Sequence, residues 1–225
     1  MMISPEGYYE IYLKGKSQEQ IMSTIRGLKN EIGYLKNVME HPDYGKEIIM
    51  KPSESTRLWC TRMYLQRAKK ALTEAGGTYT PSQAELKANY FEESIPYITK
   101  IIFSIGGFHS GYETFTIDLT DNQFRMDTEH SLFHKPSNFY IEPDYPMSKE
   151  EFLDKLRQLN IGEWRRGYTT KRFGYEVLDG TQWDLEIQFS NKNKPFKVYG
   201  DNAYPYNFDD FQKLFGIDDD EFECE

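Results

Sequence analysis

His130 and His134 stand four residues apart with Asp127 and Glu129 close by, the spacing at which two imidazoles on one helix face hold a divalent metal. The stretch around them reads as a loop instead: Pro136 follows at once, and the H-E-x-x-H order of helical metal sites is missing. Exposed loop histidines explain the pair better, and no metal is expected. His41, next to Pro42, and His109, in a glycine-rich turn, have no partner visible in the sequence. A cysteine nucleophile needs a neighbouring base and a lowered pKa. Cys60 lies in a helical pattern with Trp59 and Met63, where a buried inert thiol is expected, while Glu221, Glu223 and Glu225 around Cys224 disfavour the thiolate. Two cysteines so placed do not make a disulfide framework. Acidic residues are plentiful, and Asp118 with Glu186 on two expected strands would be one carboxylate pair, but solvated sheet-face charges account for them. G-x-S-x-G, P-loop and dinucleotide fingerprints are absent, since Gly106-Gly107 followed by Gly111 lacks the helix those loops must open. No catalytic residue and no cofactor are assigned.

Three groups carry binding chemistry. Arg57, Arg62, Arg67, Lys69 and Lys70, with Lys51, concentrate positive charge on one expected helix against Glu54 and Glu74, and a basic helix tracks phosphates. Their spacing spreads them around the helix, so a solvated face is preferred and nucleic acid is not the expected partner. Trp164, Arg165 and Arg166, followed by Gly167-Tyr168, form a cluster whose guanidinium groups and rings suit an acidic or aromatic ligand. The plainer account has Trp164 closing the core and the arginines pairing with local acids. Asp201, Asn202 and Tyr204 would present polar groups beside a sheet edge. Gly200, Asp201 and Asn202 are also turn formers, Tyr204-Pro205 is an extended dipeptide and Asn207 a helix cap, so architecture is favoured there.

The elements that must hold these residues follow from periodicity. Ser17 with Gln20 is a capping box, and Ile21, Ile25, Leu28, Ile32, Leu35 and Met39 form a seam, predicting a helix over 17–40 that His41-Pro42 ends. Leu58, Thr61, Leu65, Ala68, Leu72 and Ala75 predict a second over 53–75, closed by Gly76-Gly77. The two should pair antiparallel with Ile25, Ile32, Leu58 and Leu65 between them. A short helix over 82–93 should show Leu86, Tyr90 and Phe91 on one side. After Pro96 the period becomes two: Tyr97, Thr99, Ile101, Phe103 and Ile105, then Glu113, Phe115, Ile117 and Leu119, then 123–128, predict a three-stranded meander with a turn at Asp121-Asn122. A polar loop over 129–146 leads to a helix capped by Ser148 and Glu151 that buries Phe152, Leu156 and Leu159. Asp179-Gly180 between 172–178 and 181–189 signals a hairpin with Trp183, Leu185, Ile187 and Phe189 inward. A strand over 196–199 and a helix after Asn207, with Phe208, Phe211, Leu214 and Phe215 on its apolar side, complete the chain. The class is α+β: a helical domain over 1–95, then an antiparallel sheet domain over 96–216 of order βββα-βββα with helices on one face, then an acidic tail over 217–225.

The run DGTQW, LEIQF and YGDNAYPYNF, from Asp179 to Phe208, resembles a recurrent C-terminal signature of uncharacterised bacterial proteins that ends in G-x-N-A-Y-P-x-N-F. The resemblance implies a shared small α+β domain and transfers no activity and no catalytic residue.

Composition agrees with a folded chain that works by contact. The 225 residues include 15 Phe, 17 Tyr and 3 Trp, enough large rings for a substantial core. No run approaches the roughly 20 apolar residues of a membrane span, and MMISPEGYYE lacks a basic segment before an apolar one, so no membrane partner is expected and the reading is cytoplasmic. Net charge is −9, with 13 basic and 12 acidic residues up to position 95 and 14 and 24 after it. Such a sheet domain would attract a basic partner, and the tail, with six acids in the last ten positions, would be mobile. The leading expectation is a non-enzymatic interaction or regulatory protein whose partner is another protein, with a homodimer through the helical hairpin as a further possibility. The alternatives are an enzyme of unrecognised type, a hydrolase, and an acidic, mobile-element-encoded inhibitor of a nucleic-acid-binding protein.

Overall fold

The computed structural model describes residues 2–46, 51–107, 111–120, 124–130 and 147–217. His109, the Asp121-Asn122 turn, His134 with most of the expected 129–146 loop, Cys224 and the tail from Asp218 lie outside the described residues. The chain forms two compact units, 1–81 and 82–225.

The first unit is helical. A short helix α1 (Pro5–Tyr8), capped by Ser4, runs into one π-helical turn over Tyr9–Leu13. Helix α2 (Gln18–Met39) starts at the expected capping box, with the Ser17 and Gln20 side chains each bonded to the other's backbone N–H. Helix α3 (Glu54–Glu74) starts at Ser53 and ends before Gly76, whose φ of +77° is the left-handed conformation glycine reaches without a Cβ clash. The pair is antiparallel: Gln18 Nε2 at the start of α2 donates to Ala75 O past the end of α3 (2.7 Å), and Arg57 meets Glu31 at 2.5 Å. Ile25 and Leu58 are buried as expected, whereas Ile32 and Leu65 are half-buried. Leu13 from the π-turn joins Ile21, Ile25, Ala68, Ala71 and Leu72 in the core. Cys60 is a buried free thiol.

The second unit begins with helix α4 (Gln83–Ser94), so the switch of period at Pro96 is not the boundary between units. Of its expected apolar side only Phe91 is buried, and Leu86 and Tyr90 are exposed. A meander follows: β1 (Ile98–Gly107), β2 (Gly111–Asp118) and β3 (Arg125–His130). The β1 register shifts between Ile98 and Lys100, a bulge that puts Ile98 and Ile101 inside and leaves Tyr97 exposed, against strict alternation. Helix α5 (Lys149–Gln158) is capped by Ser148 and buries Phe152 and Leu156. Strand β4 (Gly167–Thr169), β5 (Gln182–Phe189), β6 (Phe196–Asp201) and helix α6 (Phe208–Lys213) complete the unit.

The six strands lie in the order β3-β2-β1-β5-β6-β4, all neighbours antiparallel except β6 and β4. The α+β class holds, but the expected hairpin does not form. Residues 170–173 make a 3-10 turn that ends at Gly174 (φ +88°), and 174–178 form no strand leading into Asp179-Gly180. The strand of that region is β4, a few residues earlier, and its three residues run parallel to β6. The core lies on one face of the sheet, where Phe103, Phe115, Trp183 and Leu185 meet Phe152, Leu156, Phe211 and Phe215. No helix of the described residues is long and apolar enough to cross a membrane.

Candidate functional site

Trp164 sits in the core, 1% exposed, and is not a surface binding residue. Its ring stands edge-on to Trp183 and Phe211, and its Nε1 donates to Asn207 Oδ1 at 3.0 Å. Asn207 in turn donates to Leu159 O at 2.7 Å, so its side chain ties three segments together and does not cap α6 as expected. Asn202 is also architectural. It occupies the left-handed region (φ +50°), accepts from the Thr181 N–H at 2.8 Å and donates to Asp201 Oδ1 at 2.7 Å, holding the chain where it enters β5. Tyr204, half-buried, packs its ring 4.9 Å from Phe208.

The basic residues of α3 do not form a phosphate track. Arg67 is buried, with its guanidinium 3.8 Å from the Tyr9 ring and bonded to Glu6 (3.0 Å) and Glu74 (3.2 Å). Those bonds to carboxylates hold its charge on despite burial. Arg57 is paired with Glu31, Lys69 lies 4.3 Å from the centre of the Tyr79 ring, and Lys70 faces Glu74 at 4.0 Å. Arg62 is half-buried on the same helix.

The carboxylates Asp118 and Glu186 flank β1 from opposite sides and do not share a proton. Asp118 accepts from the Thr120 hydroxyl and N–H, and Glu186 from Lys197 and Gln188, which holds both carboxyl groups below the usual carboxylate range. His130 stands 3.5 Å from Glu113. Among the described residues no group of three His, Cys, Asp or Glu is arranged to hold a metal ion.

Of the sequence candidates, Arg166 lines a cleft of about 460 Å³ within the second unit. One wall is α4, which presents Lys87, Tyr90, Phe91 and Ser94; Phe189, Lys194, Pro195 and the start of β6 line the rest. The α4 wall is set by Ser82 and Glu85, a second capping box, and by the Phe91 ring, 4.6 Å from Phe196. Ser94 donates to Tyr90 O and accepts from Asn193 Nδ2 (2.8 Å), which ties the end of α4 to the β5–β6 turn. That hydroxyl is committed on both sides and is no free nucleophile.

Arg165, beside it, is exposed, and its N–H donates to the Tyr168 hydroxyl. The Arg166 carbonyl accepts from the Tyr199 N–H at 3.2 Å, fixing its backbone at the entrance to β4. Gly167 next to it allows the Tyr199 ring to lie across the strand, where a Cβ would come within 2.6 Å of Cζ. Lys87 Nζ donates to Trp164 O (3.0 Å) and sits 5.4 Å from the Phe196 ring centre. Burial, and then the Arg166 charge, push the Lys87 pKa down. Among the described residues neither Arg166 nor Lys194 has an acidic partner, whereas Lys197, which also lines the cleft, is paired with Glu186 at 2.6 Å. Sequence reasoning missed Lys87, Lys194, Tyr90 and Tyr199. The chemistry offered is an anion seat of three cations between aromatic surfaces.

Compared with family models, curated proteins and solved structures, the chain matches none.

Proposed function

We infer that the protein acts by binding another protein, without catalysing a reaction, and that the α4–β6 cleft of the second unit is the contact surface. The observation that carries this reading is the company of Arg166. Lys87, Arg166 and Lys194 converge on one cleft, with no carboxylate among its lining residues, in a unit that holds 27 acidic against 15 basic residues. Like charges gathered in one cleft repel one another, and a ligand of opposite sign removes that cost. Tyr90 and Tyr199, both exposed, supply the amphipathic rings that protein contacts favour. The sign of the expected partner surface is therefore acidic at this site, opposite to what the net charge of the unit suggests.

The test is site-specific photo-cross-linking in the native cell. A photoreactive residue replacing Tyr90 should give a discrete protein adduct that disappears with Arg166→Glu, and the same residue replacing Tyr112 on β2 should not. A nucleic-acid adduct from position 90, or an adduct indifferent to Arg166→Glu, would exclude the reading.

A further inference from the structure

Strand β4 covers only part of β6. Its three residues pair with Tyr199, Gly200 and Asp201, so among the described residues the first half of β6, Phe196–Val198, continues as a sheet edge with no strand on the side away from β5. Backbone polar groups alternate sides along a strand. The Tyr199 N–H points toward β4, where it donates to Arg166 O. Two residues earlier, the N–H and C=O of Lys197 must point the same way, off the edge of the sheet. The cleft is lined from this edge by Phe196, Lys197 and Tyr199, by Arg166 just before β4, and by Lys87, Tyr90, Phe91 and Ser94 of α4.

An edge strand with a helix across a groove from it is the arrangement in which an extended peptide adds as one more strand. Backbone bonds then supply affinity and the flanking side chains supply selectivity. Here the flanking groups are Lys87, Arg166 and Lys194, without acidic partners among the described residues, and the rings of Tyr90, Phe196 and Tyr199.

Resting on the reading of this cleft as a protein-binding surface, we propose that its occupant is an extended acidic peptide segment. It adds alongside Phe196–Val198, bonds to the backbone of Lys197, and places carboxylates against Lys87, Arg166 and Lys194. Charge complementarity fixes the chemistry of the side chains, and the uncovered edge fixes the extended backbone. A small anion would use the cations and leave the edge unpaired.

The test uses the full chain and a fluorescent peptide of about six residues, the usual strand length, in which Glu alternates with Tyr. Binding is followed by anisotropy, and amide hydrogen exchange is followed by NMR. The expected result is saturable binding that weakens at least about tenfold with Arg166→Glu and with Lys194→Glu, two exposed positions whose variants should melt as the parent does. Peptide binding should also slow exchange at the Lys197 amide. Methylating one alternate set of peptide nitrogens should weaken binding about tenfold or more, and methylating the other set should not. Equal binding of a Lys–Tyr peptide, no binding of the acidic one, or insensitivity to both methylation patterns with an unprotected Lys197 amide would overturn the proposal. Free glutamate or phosphate displacing the peptide completely at millimolar concentration would also overturn it. If a position-90 protein adduct forms and the acidic peptide fails to compete with it, the protein-binding reading stands and this mode of docking falls.

Discussion

At the scale of single residues, Gly200 shows how the right residue can be singled out for the wrong reason. The turn-forming run Gly200-Asp201-Asn202 suggests a left-handed glycine, yet Gly200 is a strand residue and the left-handed position belongs to Asn202. What Gly200 needs is space. A Cβ there would lie 2.0 Å from Nε1 and 2.2 Å from Cε2 of Trp183, whose ring is held by its bond to Ala203 O and by contact with Phe208, Tyr168 and Trp164. Because the ring cannot retreat, Gly200→Ala should cost about 1–3 kcal/mol, the overpacking range, read as a lower Tm. Asp201→Ala removes the acceptor of the Asn202 amide and a charge that acts on exposed Lys171, and should stay within about 0.5 kcal/mol. An unchanged Tm for Gly200→Ala would show that the Trp183 site is looser than its contacts indicate. The candidate cleft was legible only in part for a related reason. Arg166 stands out by type beside Trp164 and Arg165, but Lys87 and Lys194 come from positions far apart in the chain, and nothing local to either announces that folding brings them together. The basic run on α3 is the opposite case: conspicuous in sequence, and largely consumed by Glu6, Glu31, Glu74, Tyr9 and Tyr79.

At the scale of elements, the helices were legible because their ends are written in short-range chemistry. Ser17, Ser53, Ser82 and Ser148 each accept a hydrogen bond from the N–H three residues on, and the periodic apolar positions follow directly. Strands β1, β2, β5 and β6 were legible from alternation, but β4 was not. It has three residues, Gly-Tyr-Thr, too few to show a period, and exists because β6 offers it a parallel edge. The Asp179-Gly180 signal failed for the converse reason. Its local turn preference lost to the Thr181–Asn202 bond and to the pairing of β5 with β1 and β6 on both sides. Because α4 forms one wall of the cleft, its cap offers a separate handle on the site. Ser82→Ala removes the acceptor of the Glu85 N–H and the Oγ partner of the Glu85 carboxylate, and should cost about 0.5–2 kcal/mol. Phe91 remains locked under the helix against Phe196 and Phe189, so the loss should appear as faster amide exchange over the first turn of α4, with the cleft end at Tyr90–Ser94 unchanged. Fast exchange spreading through Ser94 would mean that the cap, and not the aromatic contact, holds the wall in place.

At the scale of the whole molecule, charge acts with opposite signs at different distances. The chain carries −9, divided between a first unit with 12 basic and 9 acidic residues and a second with 15 and 27. An acidic partner approaching from afar meets that net negative field, while a partner already in the cleft lies within contact distance of Lys87, Arg166 and Lys194. Salt separates the two regimes. The screening length falls from about 30 Å at 0.01 M to about 10 Å at 0.1 M, which removes long-range repulsion first and leaves contacts at about 4 Å far less affected. For the acidic peptide, association should therefore speed up over this range of salt, whereas dissociation should become faster throughout as the cleft contacts weaken. Stopped-flow anisotropy with the full chain measures both rates. The usual pattern of electrostatic steering is the reverse, with association slowing steeply as salt rises. Observing that pattern would mean that the three cations of the cleft, and not the acidic body around them, set the field an incoming peptide meets. With Arg166→Glu the acceleration by salt should become larger, because the same substitution deepens the repulsion and removes a contact. A variant that associates with the parent's salt dependence would place the encounter elsewhere on the molecule.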